Sequence, residues 1–131
     1  MTINWVGVAL CTLAVFVIGG PWYGPIFGKS WMKASGLTQE MAPKGGHKAV
    51  VFGGAAVAGF IAAIGLGSII GPAPDVMRGL HFGLLAGICL VTMSFVINYL
   101  FANRSFALLV IDGGYNIVLF AAMGAIFGVL G

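Results

Sequence analysis

Asp112 is the residue that most needs an explanation. It is one of three acidic residues in a chain of 131. It sits inside the apolar run Phe106 to Leu130, which as a helix would place it roughly 9 Å from the start at about 1.5 Å per residue. A bare carboxylate in hydrocarbon costs on the order of 2.5–3.5 kcal/mol even on a lenient insertion scale. It must therefore be paired, hydrogen-bonded, protonated or hydrated. Asn116 lies one turn on, on the same face, and Tyr115 is adjacent. Asn98 falls at nearly the same depth on the preceding antiparallel segment, and Arg104 is close enough to snorkel inward. The spacing predicts a polar cluster of Asn98, Asp112 and Asn116, closed by Arg104 or a first-loop lysine. Such a cluster is a latch between the third and fourth helices, a proton- or ion-handling carboxylate, or a contact with a partner protein. Gly113 and Gly114 follow directly and allow close approach of another backbone, or a local distortion that frees carbonyl groups.

Other chemically capable residues lack partners. His81 reads as an interfacial histidine near Asp75 and Arg78, and His47 as a solvated loop residue. Cys11 and Cys89 fall near the middle of their apolar runs, where a disulfide is not expected, and with Met93 they show no metal-ligand spacing. No phosphate loop, dinucleotide fingerprint, HExxH, CxxC or nucleophile elbow is present. The expectation is a protein that is not an enzyme and has neither metal nor cofactor.

The elements that position Asp112 follow from composition. Charged residues make up 7% of the chain and apolar ones 60%, whereas a soluble domain carries about 25% charged residues. A soluble fold, a disulfide scaffold and a disordered chain are all excluded. Four uncharged or nearly uncharged runs are long enough to cross a bilayer: residues 3–20, 49–71, 77–101 and 106–130. Lipid forces them to be helices, because a lone strand leaves backbone polar groups unpaired. The first run lacks the basic start and the cleavage site of a signal peptide. The reading is all-α: an integral membrane four-helix bundle forming one domain over residues 1–131, its first loop spanning 21–48.

Orientation follows from the loop cations. Lys29, Lys33, Lys44 and Lys48 lie in the first loop and Arg104 in the third. Placing both loops in the cytoplasm puts five of the six basic residues inside and both termini outside. The basic loop is too sparse for nucleic acid and suits anionic lipid. Pro21 and Pro25 should kink or end the first helix. Beyond them Phe27 and Trp31, and likewise Lys29 and Lys33, are four apart, as in a short amphipathic helix lying in the headgroup layer. Trp22 and Tyr23 belong to the aromatic belt. Pro43, Gly45 and Gly46 read as a turn into the second helix, and Asp75 as the N-cap of the third.

Small residues decide how helices meet in lipid. Ala55, Gly59, Ala63, Gly67 and Gly71 form a stripe with steps of four. Gly79, Gly83 and Gly87 form another, continued by Ser94 and Asn98, and Gly124 and Gly128 end the fourth helix. These faces pack within the bundle or against another subunit. The second case predicts a homo-oligomer or a subunit of a larger membrane complex, with the stripe on the second or fourth helix as the contact.

The run Phe16, Gly19, Trp22, Tyr23, Phe27, Gly28, Lys29, Trp31, Met32, together with Asp112-Gly113-Gly114-Tyr115, resembles a bacterial group of small membrane proteins catalogued as domain of unknown function 1761. The resemblance implies a four-helix membrane topology and no reaction. It also implies that Trp22, Tyr23, Trp31 and Asp112 matter as a set, with a Tyr23–Asp112 hydrogen bond as one expectation. The leading functional expectation is a non-enzymatic accessory protein of the bacterial inner membrane. The alternative is a small oligomeric transporter or channel working through Asp112. In length and helix number the chain is similar to the small multidrug resistance transporters, but those place an acid in the first helix, where Ile3 to Gly20 has none. A bound lipid, quinone or pigment in a Gly-rich, aromatic groove is a third expectation.

Overall fold

The computed structural model describes residues 3–37 and 45–131. It contains four helical spans long and apolar enough to cross a membrane: Trp5–Ile26, His47–Ile70, Val76–Phe101 and Phe106–Leu130. The helices are α1 (Trp5–Pro21), α2 (Gly28–Ser35), α3 (Gly45–Ile70), α4 (Val76–Leu85), α5 (Met93–Phe101) and α6 (Phe106–Leu130). Two π-helical stretches complete the spans, Trp22–Ile26 after α1 and Ala86–Thr92 between α4 and α5.

Helix ends are set by side chains as well as by the backbone. Asn4, Asp75 and Ser105 cap α1, α4 and α6 by accepting the amides of Gly7, Arg78 and Leu108 at 3.0, 2.7 and 3.1 Å, which satisfies donors that a helix start otherwise leaves open. Arg78 then reaches back, its Nε donating to the Ile70 carbonyl at 2.9 Å and closing the end of α3. Gly71 follows at φ +86°, a left-handed conformation that terminates a helix and suits glycine.

One expectation about boundaries holds in part and another is corrected. The α-helix ends at Pro21 as expected, but the span does not end there. Pro21 is the last residue of α1, and helical structure continues through a π turn that contains Pro25, with the Phe27 amide bonding the Trp22 carbonyl at 2.9 Å. Wider i→i+5 bonding lets the chain carry a residue that donates no amide proton. Gly45 and Gly46 belong to α3 rather than to a turn; hydropathy marks where hydrocarbon begins, and a helix can start in water before it. Glu40, Pro43 and Lys44 lie outside the described residues.

The core draws on all four spans. Val8, Cys11 and Ala14 of α1 meet Ala63, Leu66 and Ile70 of α3, Ala86 of the second π-helical stretch, and Leu119, Met123 and Phe127 of α6. The Cys11 thiol lies 3.6 Å from the Met123 carbonyl, whereas Cys89 is exposed. The contact between α4 and α6 is of a different kind. A Cβ on Gly79 would overlap the Gly124 carbonyl oxygen, and one on Gly124 the Gly79 oxygen. A Cβ on Gly128 would come within 2.6 Å of the Asp75 oxygen, and one on Gly83 would overlap the Phe120 oxygen. These two helices touch backbone to backbone, an approach that only glycine permits.

The predicted stripes are used inside the chain. A Cβ on Gly59 would meet Val15 at 2.6 Å and one on Gly67 would meet Phe127 at 3.0 Å, while Ala63 is fully buried. Gly87 packs on Ile117 and Asn116. Ala55 is half-buried at the edge of the α1–α3 contact, and Gly71 serves as a helix terminator. Of the two expectations for these faces, packing within the bundle is the one seen: α1, α4 and α6 lie against them. Gly53, Gly54 and Gly65 of α3 have nothing within 4 Å.

Candidate functional site

Asp112 lies on the second turn of α6, which runs as one uninterrupted helix from Phe106 to Leu130. Each carboxylate oxygen accepts one phenol. Tyr23 donates to Oδ1 at 2.7 Å and Tyr99 to Oδ2 at 2.5 Å. Tyr23 comes from the π turn after α1, and Tyr99 from α5. One side chain thus joins three spans. Hydrogen bonds to a carboxylate are stronger than those between neutral groups, and exclusion of water raises their weight.

Aromatic residues build the surroundings. The Trp22 indole donates to the Ile111 carbonyl at 3.0 Å, one residue before Asp112. Tyr115 donates to the Val15 carbonyl at 2.7 Å and so ties α6 to α1. Tyr23 stands edge-on to Tyr115 (centroids 5.2 Å apart) and to Trp31 (5.9 Å). Phe27 packs on Trp22 at 4.8 Å. The aromatic face of α2 therefore folds back onto the end of α1, while Lys29 and Lys33 on its other face are exposed.

The two glycines beside Asp112 admit side chains, not a second backbone, and α6 is not distorted. A Cβ on Gly114 would touch the Trp22 ring at 3.0 Å, and one on Gly113 the Thr92 methyl at the same distance.

The predicted cluster needs three corrections. Asn98 is exposed and lines a separate groove with Leu90, Val91, Ser94 and Phe95. Asn116 bonds the Asp112 backbone carbonyl at 2.9 Å, not the carboxylate. Arg104 donates to the Ser35 carbonyl at 3.4 Å, fastening the end of α2 to the α5–α6 turn rather than neutralising Asp112. Short-range geometry accounts for the last two: a side chain at i+4 reaches the i carbonyl easily, and an exposed guanidinium has less reason to desolvate than to bond a nearby carbonyl.

The displacement of Asn98 has a larger cause. A π-helical stretch carries one more residue per turn than an α-helix. The residues that face α6 step by four from Gly79 to Gly83 and Gly87, then by five to Thr92, whose hydroxyl bonds the Gly113 carbonyl at 3.4 Å. The next positions on that face are Phe95 and Tyr99 instead of Ser94 and Asn98. Tyr99 is the functional residue that an α-helical reading misses. The five-residue step from Gly87 to Thr92 shows only in the contacts, so no pattern in the sequence marks Tyr99.

An open cleft of about 450 Å³ adjoins the carboxylate, lined by Tyr23, Trp31, Phe95, Asp112, Tyr115 and Asn116. A more apolar cleft of about 530 Å³ lies between α1 and α3, lined among others by Val15, Phe16, Val51, Phe52 and Ala55, and it shares Tyr23 and Tyr115. Among the described residues no group of three His, Cys, Asp or Glu could hold a metal ion. His81 is exposed at the opposite end, edge-on to Phe82.

A family model described as "Protein of unknown function (DUF1761)" matches residues 6–128, and the chain belongs to that family. No curated protein and no solved structure matches it.

Proposed function

We propose that this member of the DUF1761 family is a non-enzymatic accessory protein of a bacterial inner membrane that docks against a second copy or a larger membrane complex. The observation that supports this reading is the outer face of α3. The predicted stripe of Gly59, Ala63 and Gly67 is consumed within the chain, yet Gly53, Gly54 and Gly65 border open space. In hydrocarbon, helices gain little from hydrophobicity when they meet, and small residues that let a second backbone approach decide where they do. The Asp112 joint fits the same role: it holds three spans in one arrangement, and its partners are phenols rather than a base and a nucleophile. The end carrying Lys29, Lys33 and Arg104 faces the cytoplasm in this reading. The apolar cleft between α1 and α3 is where a lipid, quinone or pigment tail would lie.

The test is native mass spectrometry after mild solubilisation. A discrete higher-mass species is expected, and Gly54→Leu together with Gly65→Leu should convert it to monomer without lowering the unfolding midpoint. A clean monomer at every concentration, with nothing co-purifying, overturns the reading. A second reading keeps Asp112 as the ion- or proton-handling carboxylate of a small oligomeric transporter. The open cleft beside the carboxylate favours it.

A further inference from the structure

We propose that the cleft beside Asp112 is a binding site for an organic ammonium group. The inference does not depend on the accessory role, and loss of the higher-mass species would leave it untouched.

Charge comes first. Among the described residues, the side-chain hydrogen bonds that reach the Asp112 carboxylate come from two neutral phenols, and Arg104 is engaged by Ser35. A carboxylate has about four acceptor positions, so two hydroxyls leave room for a further donor or for a cation in contact. The position is also partly shielded, since Asp112 is half-buried. A cation gains more there than at an open surface.

The walls select the kind of cation. Tyr23, Trp31, Phe95 and Tyr115 line the cleft. Tyr23 is near-perpendicular to Trp31 (80°) and steeply inclined to Tyr115 (63°), so the rings present faces and edges in different directions. A bulky, weakly hydrated cation is attracted to such faces. A small inorganic ion demands several oxygen ligands in a close shell, and here one carboxylate and the Asn116 amide are the polar side chains among the aromatic lining apart from the tyrosine hydroxyls. The volume of about 450 Å³ suits a trimethylammonium or primary ammonium group with part of its substituent. That group could belong to a free amine or to a lipid headgroup, because the interfacial α2 supplies Trp31 to the wall.

The experiment uses the full chain in nanodiscs of phosphatidylglycerol. Choline is titrated against its neutral carbon isostere, 3,3-dimethylbutan-1-ol, and binding is read by tryptophan fluorescence and by saturation transfer to the ligand methyl protons. Choline should bind about tenfold more tightly than the isostere, and Asp112→Asn should lose about that factor. Because Asp112→Asn also weakens the helix joint, Trp31→Leu is the second variant. It leaves both tyrosine–Asp112 bonds in place and should weaken choline several-fold by saturation transfer, with the circular dichroism spectrum unchanged. A parallel set in phosphatidylcholine discs separates the sources. Loss of choline titration there assigns the site to a lipid headgroup, and its retention to a free amine. Equal binding of choline and isostere, unchanged choline binding in both variants, or displacement by sodium at matched concentration overturns the proposal.

Discussion

Two phenols share the Asp112 carboxylate, one on each oxygen, so removing either phenol leaves one carboxylate oxygen unanswered, and removing the carboxylate charge weakens both bonds. Tyr23→Phe, Tyr99→Phe and Asp112→Asn should each lower bundle stability in detergent by about 1–2 kcal/mol. Tyr23→Phe and Asp112→Asn combined should cost clearly less than their sum, as coupled residues do. Asn98→Ala should cost under about 0.5 kcal/mol, as an exposed position does. Chemical unfolding of the six proteins, wild type included, checks this; full additivity, or an Asn98 effect as large as that of Tyr99, would argue that the joint is not as described. Asp112 could be singled out from the chain alone, because a lone acid in hydrocarbon demands a solvating shell. The members of that shell were only half legible: Tyr23 was reachable from the family resemblance, whereas Tyr99 lay one position away from the residue that regular helical spacing selects.

At the scale of elements, the π-helical stretch Ala86–Thr92 and the glycine contact between α4 and α6 do the positioning. The first resets which face of α5 meets α6. The second brings the two backbones so close that side chains cannot intervene. Gly79→Ala or Gly124→Ala should therefore destabilise the protein by about 2–3 kcal/mol or more, since the new methyl meets a carbonyl rather than a side chain that can move. Gly53→Ala, beside open space, should be neutral or stabilising by up to about 1 kcal/mol through helix propensity. Thermal unfolding in a single detergent compares them. The glycine spacings were legible in the sequence. Which helix each stripe would meet was not, because GxxxG states that a close approach is possible without naming the partner.

For the whole molecule, an even number of spans puts both ends of the chain on one side of the membrane, and the exposed cations Lys29, Lys33 and Arg104 gather at the other end of the bundle together with the Asp112 cleft. If the loop cations set the orientation, a membrane-impermeant maleimide added from the non-cytoplasmic side should label Lys33→Cys only after the membrane is opened, and Pro72→Cys while it is intact. The reverse pattern would place the ammonium site on the outer face and remove the cytoplasmic arm of the functional proposal.

Hydropathy and charge along the chain suffice to identify four segments long and apolar enough to cross a bilayer and the one acidic group to be accommodated there, because hydrocarbon penalises every unpaired polar group and the penalty is local to each segment. Tertiary structure alone decided which hydroxyls answer that group, which faces remain free and where a cleft opens. Those outcomes depend on the rotation of one helix relative to another. A single extra residue in a helical turn changes that rotation without changing the hydropathy of the segment.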